Sequence, residues 1–176
     1  VGALLGRGNA WLRLRKFRPA LSDFNRALQR EPENPQALVG RGDVRTQIGQ
    51  WEEAAEDYRQ AIKRSAKLGR AYRGAAWLMA TCPEERFRNA ELAVASARQA
   101  LALDGNGDYA YLDTLAAALA SAGEFDDAKE TQEKAIQIAP DAKANELRAR
   151  LSLYSAGRPY RTMSRTARGD EEETQR

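Results

Sequence analysis

Apolar and small residues recur along this chain at helical spacing, and the spacing itself repeats every 34 residues. The first unit places Leu4, Gly8, Trp11, Phe17, Ala20, Phe24, Ala27 and Pro32 in two amphipathic runs. The same offsets in the second unit find Leu38, Gly42, Arg45, Trp51, Ala54, Tyr58, Ala61 and Ala66. A third unit opens with Tyr72, Ala76 and Met79. A fourth, counted from Tyr109, carries Leu112, Leu115, Ala116, Leu119, Gly123, Phe125, Ala128, Ala135 and Pro140. Each unit predicts two antiparallel helices, with bounds near 1–34, 35–68, 69–108 and 109–140. One such hairpin cannot bury its apolar face alone, so the units must stack.

Punctuation between the runs agrees with this reading. Pro32 stops a helix, and Gly49 and Gly123 allow tight turns inside units. Asn34-Pro35 supplies an N-cap and a first-turn proline for the next helix. Pro83 ends the third unit's first helix near Cys82, and Ala93 then arrives five residues late, so an insertion is expected in the turn at residues 83–89. A last amphipathic run over about 142–156 puts Leu147, Leu151 and Tyr154 on one face, with Lys143, Glu146, Arg148 and Arg150 on its polar side. It reads as a helix covering the final apolar surface, ended by Gly157 and Pro159. The folded region is thus expected to span 1–160, and residues 161–176 to be a disordered tail.

Position by position, the pattern resembles the tetratricopeptide repeat (TPR): large apolar at 4, small at 8, large at 11, Ala at 20, aromatic at 24, Ala at 27 and Pro at 32. The resemblance covers about residues 1–140 and implies an all-α, right-handed superhelix of four hairpins plus a capping helix. Small residues meet across each hairpin in this reading: Gly8 with Ala20, Gly42 with Ala54, Ala76 with Ala93 and Ala116 with Ala128. A narrower likeness, carried by residues 75–83, 112–116 and 147–160, is to C-terminal TPR regions of larger bacterial multidomain proteins. With Val1 opening inside a helical pattern, the sequence reads as a piece of a longer protein.

Composition narrows the chemistry. The 176 residues include no histidine and one cysteine, Cys82, which excludes a His-based triad, a His/Cys zinc site and an internal disulfide. No apolar stretch is long enough to span a membrane. No nucleophile–base or metal constellation emerges, so no enzyme and no cofactor are expected. The lone cysteine points toward a reducing compartment such as the cytoplasm. Its expected role is a small buried hydrophobe. Net charge is only +3, but residues 1–34 hold seven basic and three acidic side chains, and residues 109–140 hold two basic and six acidic.

The TPR resemblance places groove-facing residues at positions 2, 5, 9, 12 and 13 of each first helix. From these we select Asn9, Arg13, Asp43, Gln47, Arg70, Arg73, Trp77 and Asp113 as candidate contacts for a peptide or protein segment. Arg70, Arg73 and Trp77 share a helical face and are the leading anchors, the arginines for a carboxylate and Trp77 for an apolar side chain. The alternative is that Trp77 packs inside the array. A family carboxylate clamp is matched only by Asn9 and Arg70, since Leu5, Gly40 and Gly74 break it. Two further functions stay open: a regulatory arm of a larger signalling protein, self-associating through the first repeat, and nucleic-acid binding through the basic run at residues 13–18.

Overall fold

The computed structural model describes residues 1–163 apart from Asn106. Among these residues there are nine α-helices and no strand. The helices are α1 (Gly2–Arg13), α2 (Phe17–Arg30), α3 (Pro35–Ile48), α4 (Trp51–Arg64), α5 (Gly69–Thr81), α6 (Ala90–Asp104), α7 (Tyr109–Ser121), α8 (Phe125–Ile138) and α9 (Asp141–Ser155). Each odd-numbered helix from α1 to α7 pairs with the helix after it, and each pair stacks on the next. The chain is an all-α superhelix.

Local chemistry sets the ends. The Asn34 side chain accepts from the Ala37 amide at 3.0 Å and Pro35 occupies the first turn of α3. Asn89 and Asp108 cap α6 and α7 in the same way. Gly49 and Gly123 take the positive φ values, 80° and 85°, that the turns within units two and four require. The insertion of the third unit is a short 3-10 turn at Glu85–Phe87, tied back by the Asn89 amide on the Met79 carbonyl at 3.1 Å.

The small residues at position 8 have a further reason beyond the expected crossing with position 20. A Cβ added to Gly8 would meet the Phe24 ring at 3.0 Å, and one added to Gly42 the Tyr58 ring at 2.9 Å. The nearest neighbour is the ring at position 24. The same rings lie harder still on the following unit: Phe24 overlaps any Cβ at Gly40, and Tyr58 any Cβ at Gly74. Both rings are buried. Each is a wedge between two glycines of successive first helices. Ala97 and Gln132 hold the corresponding places in units three and four, so the wedge is confined to the first two junctions.

The end of the fold is longer than expected. Residues 157–163 continue past α9 as an extended strap that returns to α5. The Thr162 amide donates to the Thr81 carbonyl at 2.8 Å, the two threonine hydroxyls lie 2.9 Å apart, and an Arg161 guanidinium nitrogen donates to the Ala80 carbonyl at 2.9 Å. Residues 161–163, assigned to the tail from sequence, are therefore held. The rest of that expected tail, 164–176, lies outside the described residues.

Candidate functional site

The candidate residues divide into a bridged cluster, a covered cluster and two exposed side chains. The bridged cluster joins three first helices. Arg70 on α5 donates to Asp43 on α3 through Nη2 at 2.7 Å and Nε at 3.2 Å, and through Nη2 to Asn9 on α1 at 3.2 Å. Asp43 also accepts the Tyr58 hydroxyl at 2.9 Å. Burial and the Asp43 charge push the Tyr58 phenol well above its ordinary range, so it stays a neutral donor. Burial lowers the Arg70 pKa, but Asp43 more than offsets it and holds the guanidinium charged. Arg70 is thus committed within the protein.

Arg73, one turn further along α5, is different. Its guanidinium lies over the Tyr111 ring, 5.5 Å from the centroid. It makes no ion pair among the described residues and is partly exposed. The Tyr111 hydroxyl leans on Asp104 at 3.5 Å, which also accepts the Arg70 amide at 3.1 Å. Arg13 and Gln47 are exposed on α1 and α3.

Trp77 and Asp113 belong to the covered cluster. Asp113 is buried on α7 and receives Arg150 of α9 through two bonds of 2.8 Å, to one oxygen each. Gln132 adds a third donor at 2.9 Å and reaches the Leu147 carbonyl at 3.2 Å. Burial raises the Asp113 carboxyl above its ordinary value, and Arg150 only partly compensates. Arg150 in turn lies over both Trp77, at 5.5 Å, and Tyr160 of the strap, at 5.3 Å. Trp77 and Tyr160 meet with ring centroids 5.8 Å apart. Trp77 is half-buried and packs against Arg150 of α9 and Tyr160 of the strap, in line with the alternative reading of it as a packed residue.

Away from the groove, one ion pair repeats with the units. Arg7 binds Asp23 through contacts of 2.7 and 2.6 Å, and 34 residues on Arg41 binds Asp57, with bonds of 2.7 and 3.0 Å among its contacts. Arg45 adds a bond of 2.6 Å to Asp57. Asp23 and Asp57 are buried beneath these guanidiniums. Beside the second pair lies an open recess of about 430 Å³, lined by Arg45, Glu52, Glu53, Glu56 and Arg59 as well. Its side chains are charges of both signs, with no nucleophile and base poised to react.

Family models of the tetratricopeptide repeat match residues 5–78 and 109–142, which together exceed half of the chain. The chain is a tetratricopeptide repeat protein. Solved structures share the fold of this TPR protein. A tetratricopeptide repeat protein from Parabacteroides merdae aligns with a TM-score of 0.64 and 20% identity, over 88% of this chain and 58% of that one. The thermophilic TPR protein TTC0263 of Thermus thermophilus gives 0.52 and 22%, over 88% and 98%. YrrB, a TPR protein with an unusual peptide-binding site, gives 0.57 and 18%, over 88% and 77%. No curated protein matches the sequence. TPR domains are generally protein–protein interaction modules.

Sequence reasoning about this TPR protein missed Arg150, Tyr111 and Tyr160. Arg150 reads as a polar-side residue of the last helix, yet it supplies the charge that meets Asp113. The available signal was Gln132, a polar residue where an aromatic ring is usual.

Proposed function

We propose that this TPR protein is a non-catalytic scaffold that holds an extended, carboxylate-bearing peptide or protein segment along the first helices of units one to three. The observation that carries the reading is Arg73: a partly exposed guanidinium held in place on Tyr111, with no ion pair among the described residues. The cation–π contact with Tyr111 positions the guanidinium, and its N–H groups can grip a carboxylate in bidentate fashion. Asn9, Asp43 and Arg70 form the floor beside it, and Arg13 and Gln47 supply rim contacts. Trp77 and Asp113 drop out of the contact set, because Arg150 and the strap already occupy them. No catalytic role is assigned, and TPR scaffolds are typically non-catalytic.

The test is a peptide-display screen on the whole chain, run beside Arg73→Glu with helicity matched by circular dichroism. Acidic peptides that bind the parent at least tenfold more tightly than the variant support the groove. Peptides that bind both equally, or no enrichment at all, exclude Arg73 as the anchor.

A further inference from the structure

The turn of unit one breaks two local rules that the matching turns keep. One turn geometry closes units one, two and four: the amides of Lys16, Gln50 and Glu124 donate to the carbonyls of Trp11, Arg45 and Leu119 at 2.9, 2.9 and 3.0 Å. This turn needs one residue in the left-handed region. Units two and four place Gly49 and Gly123 there, but unit one places Arg15, at φ 57°. A residue with a Cβ is strained in that conformation where glycine is not.

Charge reverses at the same turn. Helix α4 opens with exposed Glu52 and Glu53, and α8 with exposed Asp126 and Asp127, as the dipole of a helix favours. Helix α2 opens with Arg18 instead, behind Arg13, Arg15 and Lys16, and no acidic residue precedes Asp23. Arg15 and Lys16 are exposed and make no ion pair among the described residues. Arg15 is set over the Phe17 ring at 5.7 Å and Lys16 over the Trp11 ring at 5.2 Å. Beside them Leu14 is 64% exposed, whereas Ile48, at the same place in unit two, is half-buried. A strained arginine, cations at a helix start and a wet leucine stand together where the fold requires none of them.

We propose that this turn docks the protein reversibly on an anionic lipid surface, with Leu14 entering the headgroup layer and Arg15 and Lys16 meeting lipid phosphates beside it. An apolar apex flanked by cations complements a negative surface laid over an apolar layer. Nucleic acid suits the turn less well. Base stacking needs free ring faces, and the Trp11 and Phe17 rings each carry a cation and pack on the cluster of Ala20, Phe24 and Val44. The acidic openings of α4 and α8 are repelled by the same lipid surface, so unit one leads the approach. Peptide binding through Arg73 does not depend on this contact.

The test is co-sedimentation of the whole chain with vesicles of equimolar phosphatidylglycerol and phosphatidylcholine, beside vesicles of phosphatidylcholine alone. Expected is pelleting with the anionic vesicles only, falling as salt is added. Leu14→Ser and Lys16→Gln should each weaken binding by about fivefold. Arg30→Gln, at the other end of α2, should change it by less than about twofold. Arg15→Gly should weaken binding by about fivefold yet raise the melting temperature by about 2 °C, because a strained cation is exchanged for an unstrained turn residue. No pelleting, equal pelleting with both vesicles, or binding indifferent to Leu14→Ser and Arg15→Gly would overturn the docking. Binding of a single-stranded oligonucleotide at a salt concentration where no vesicle pellets would overturn it too, and make nucleic acid the partner of the turn.

Discussion

Arg150 of the last helix reaches Asp113 across the helix pair, Nε on one carboxylate oxygen and Nη2 on the other, each at 2.8 Å. Both side chains are almost wholly out of water. Removing one partner of such a pair strands the other, at about 3–5 kcal/mol. Arg150→Ala should therefore lower urea-unfolding stability by roughly that amount. Arg150→Met with Asp113→Leu should recover most of it. Equal stability of Arg150→Ala and the parent would show that the pair contributes nothing to the end of the fold.

The Phe24 wedge makes an opposite pair of expectations at two glycines. Gly→Ala in a helix gains about 1 kcal/mol in propensity where space allows. At Gly40 the new methyl would overlap the ring, so Gly40→Ala should destabilise by about 1–3 kcal/mol despite that gain. Phe24→Ala should cost about 3–5 kcal/mol through the cavity it leaves. In the Phe24→Ala background, Gly40→Ala should instead stabilise by about 1 kcal/mol, a reversal of sign that a double-mutant cycle in urea reads directly.

Asp23 gives the pH dependence a sign. Its bond from Arg7 holds the carboxyl below the ordinary carboxylate value. A depressed folded pKa contributes stability above the unfolded value, about 4, and loses it as pH falls through the folded one. The parent should therefore weaken in mild acid, and Asp23→Asn should show a flatter stability curve below pH 4. Because Arg7 is half in water, the effect should be small and shrink with added salt.

Tyr160 shields Trp77. Tyr160→Ala should shift tryptophan emission to the red without loss of helicity, because Trp77 loses the ring set against it. Unchanged emission would mean that the strap leaves Trp77 as wet as before.

Cys82 should be chemically silent. It is buried at the end of α5, and desolvation pushes its thiol above the ordinary range. Labelling by a disulfide reagent at neutral pH should follow global unfolding, with no fast phase in the native protein.

Much of this was legible from the chain. The 34-residue period, Asn34-Pro35, Gly49 and Gly123 each report a local backbone requirement, and local requirements are written in adjacent letters. The groove was harder. Asn9, Asp43 and Arg70 were all named, but not that they bind each other, because that contact spans 61 residues. Trp77 read as exposed because the residues that cover it, Arg150 and Tyr160, arrive from the far end of the chain. Tyr160 precedes only a polar run, which by composition alone looks unable to fold.

One helix belongs to two cores at once. Ala71 and Leu78 of α5 pack with residues of α1 to α4, while Ala76 and Ala80 pack with residues of α6 to α9. Stretched from its ends, this spring would load α5 from both sides. The first break then decides what remains: losing either neighbour leaves α5 folded on the other core, and losing α5 itself leaves two small cores tethered by the backbone.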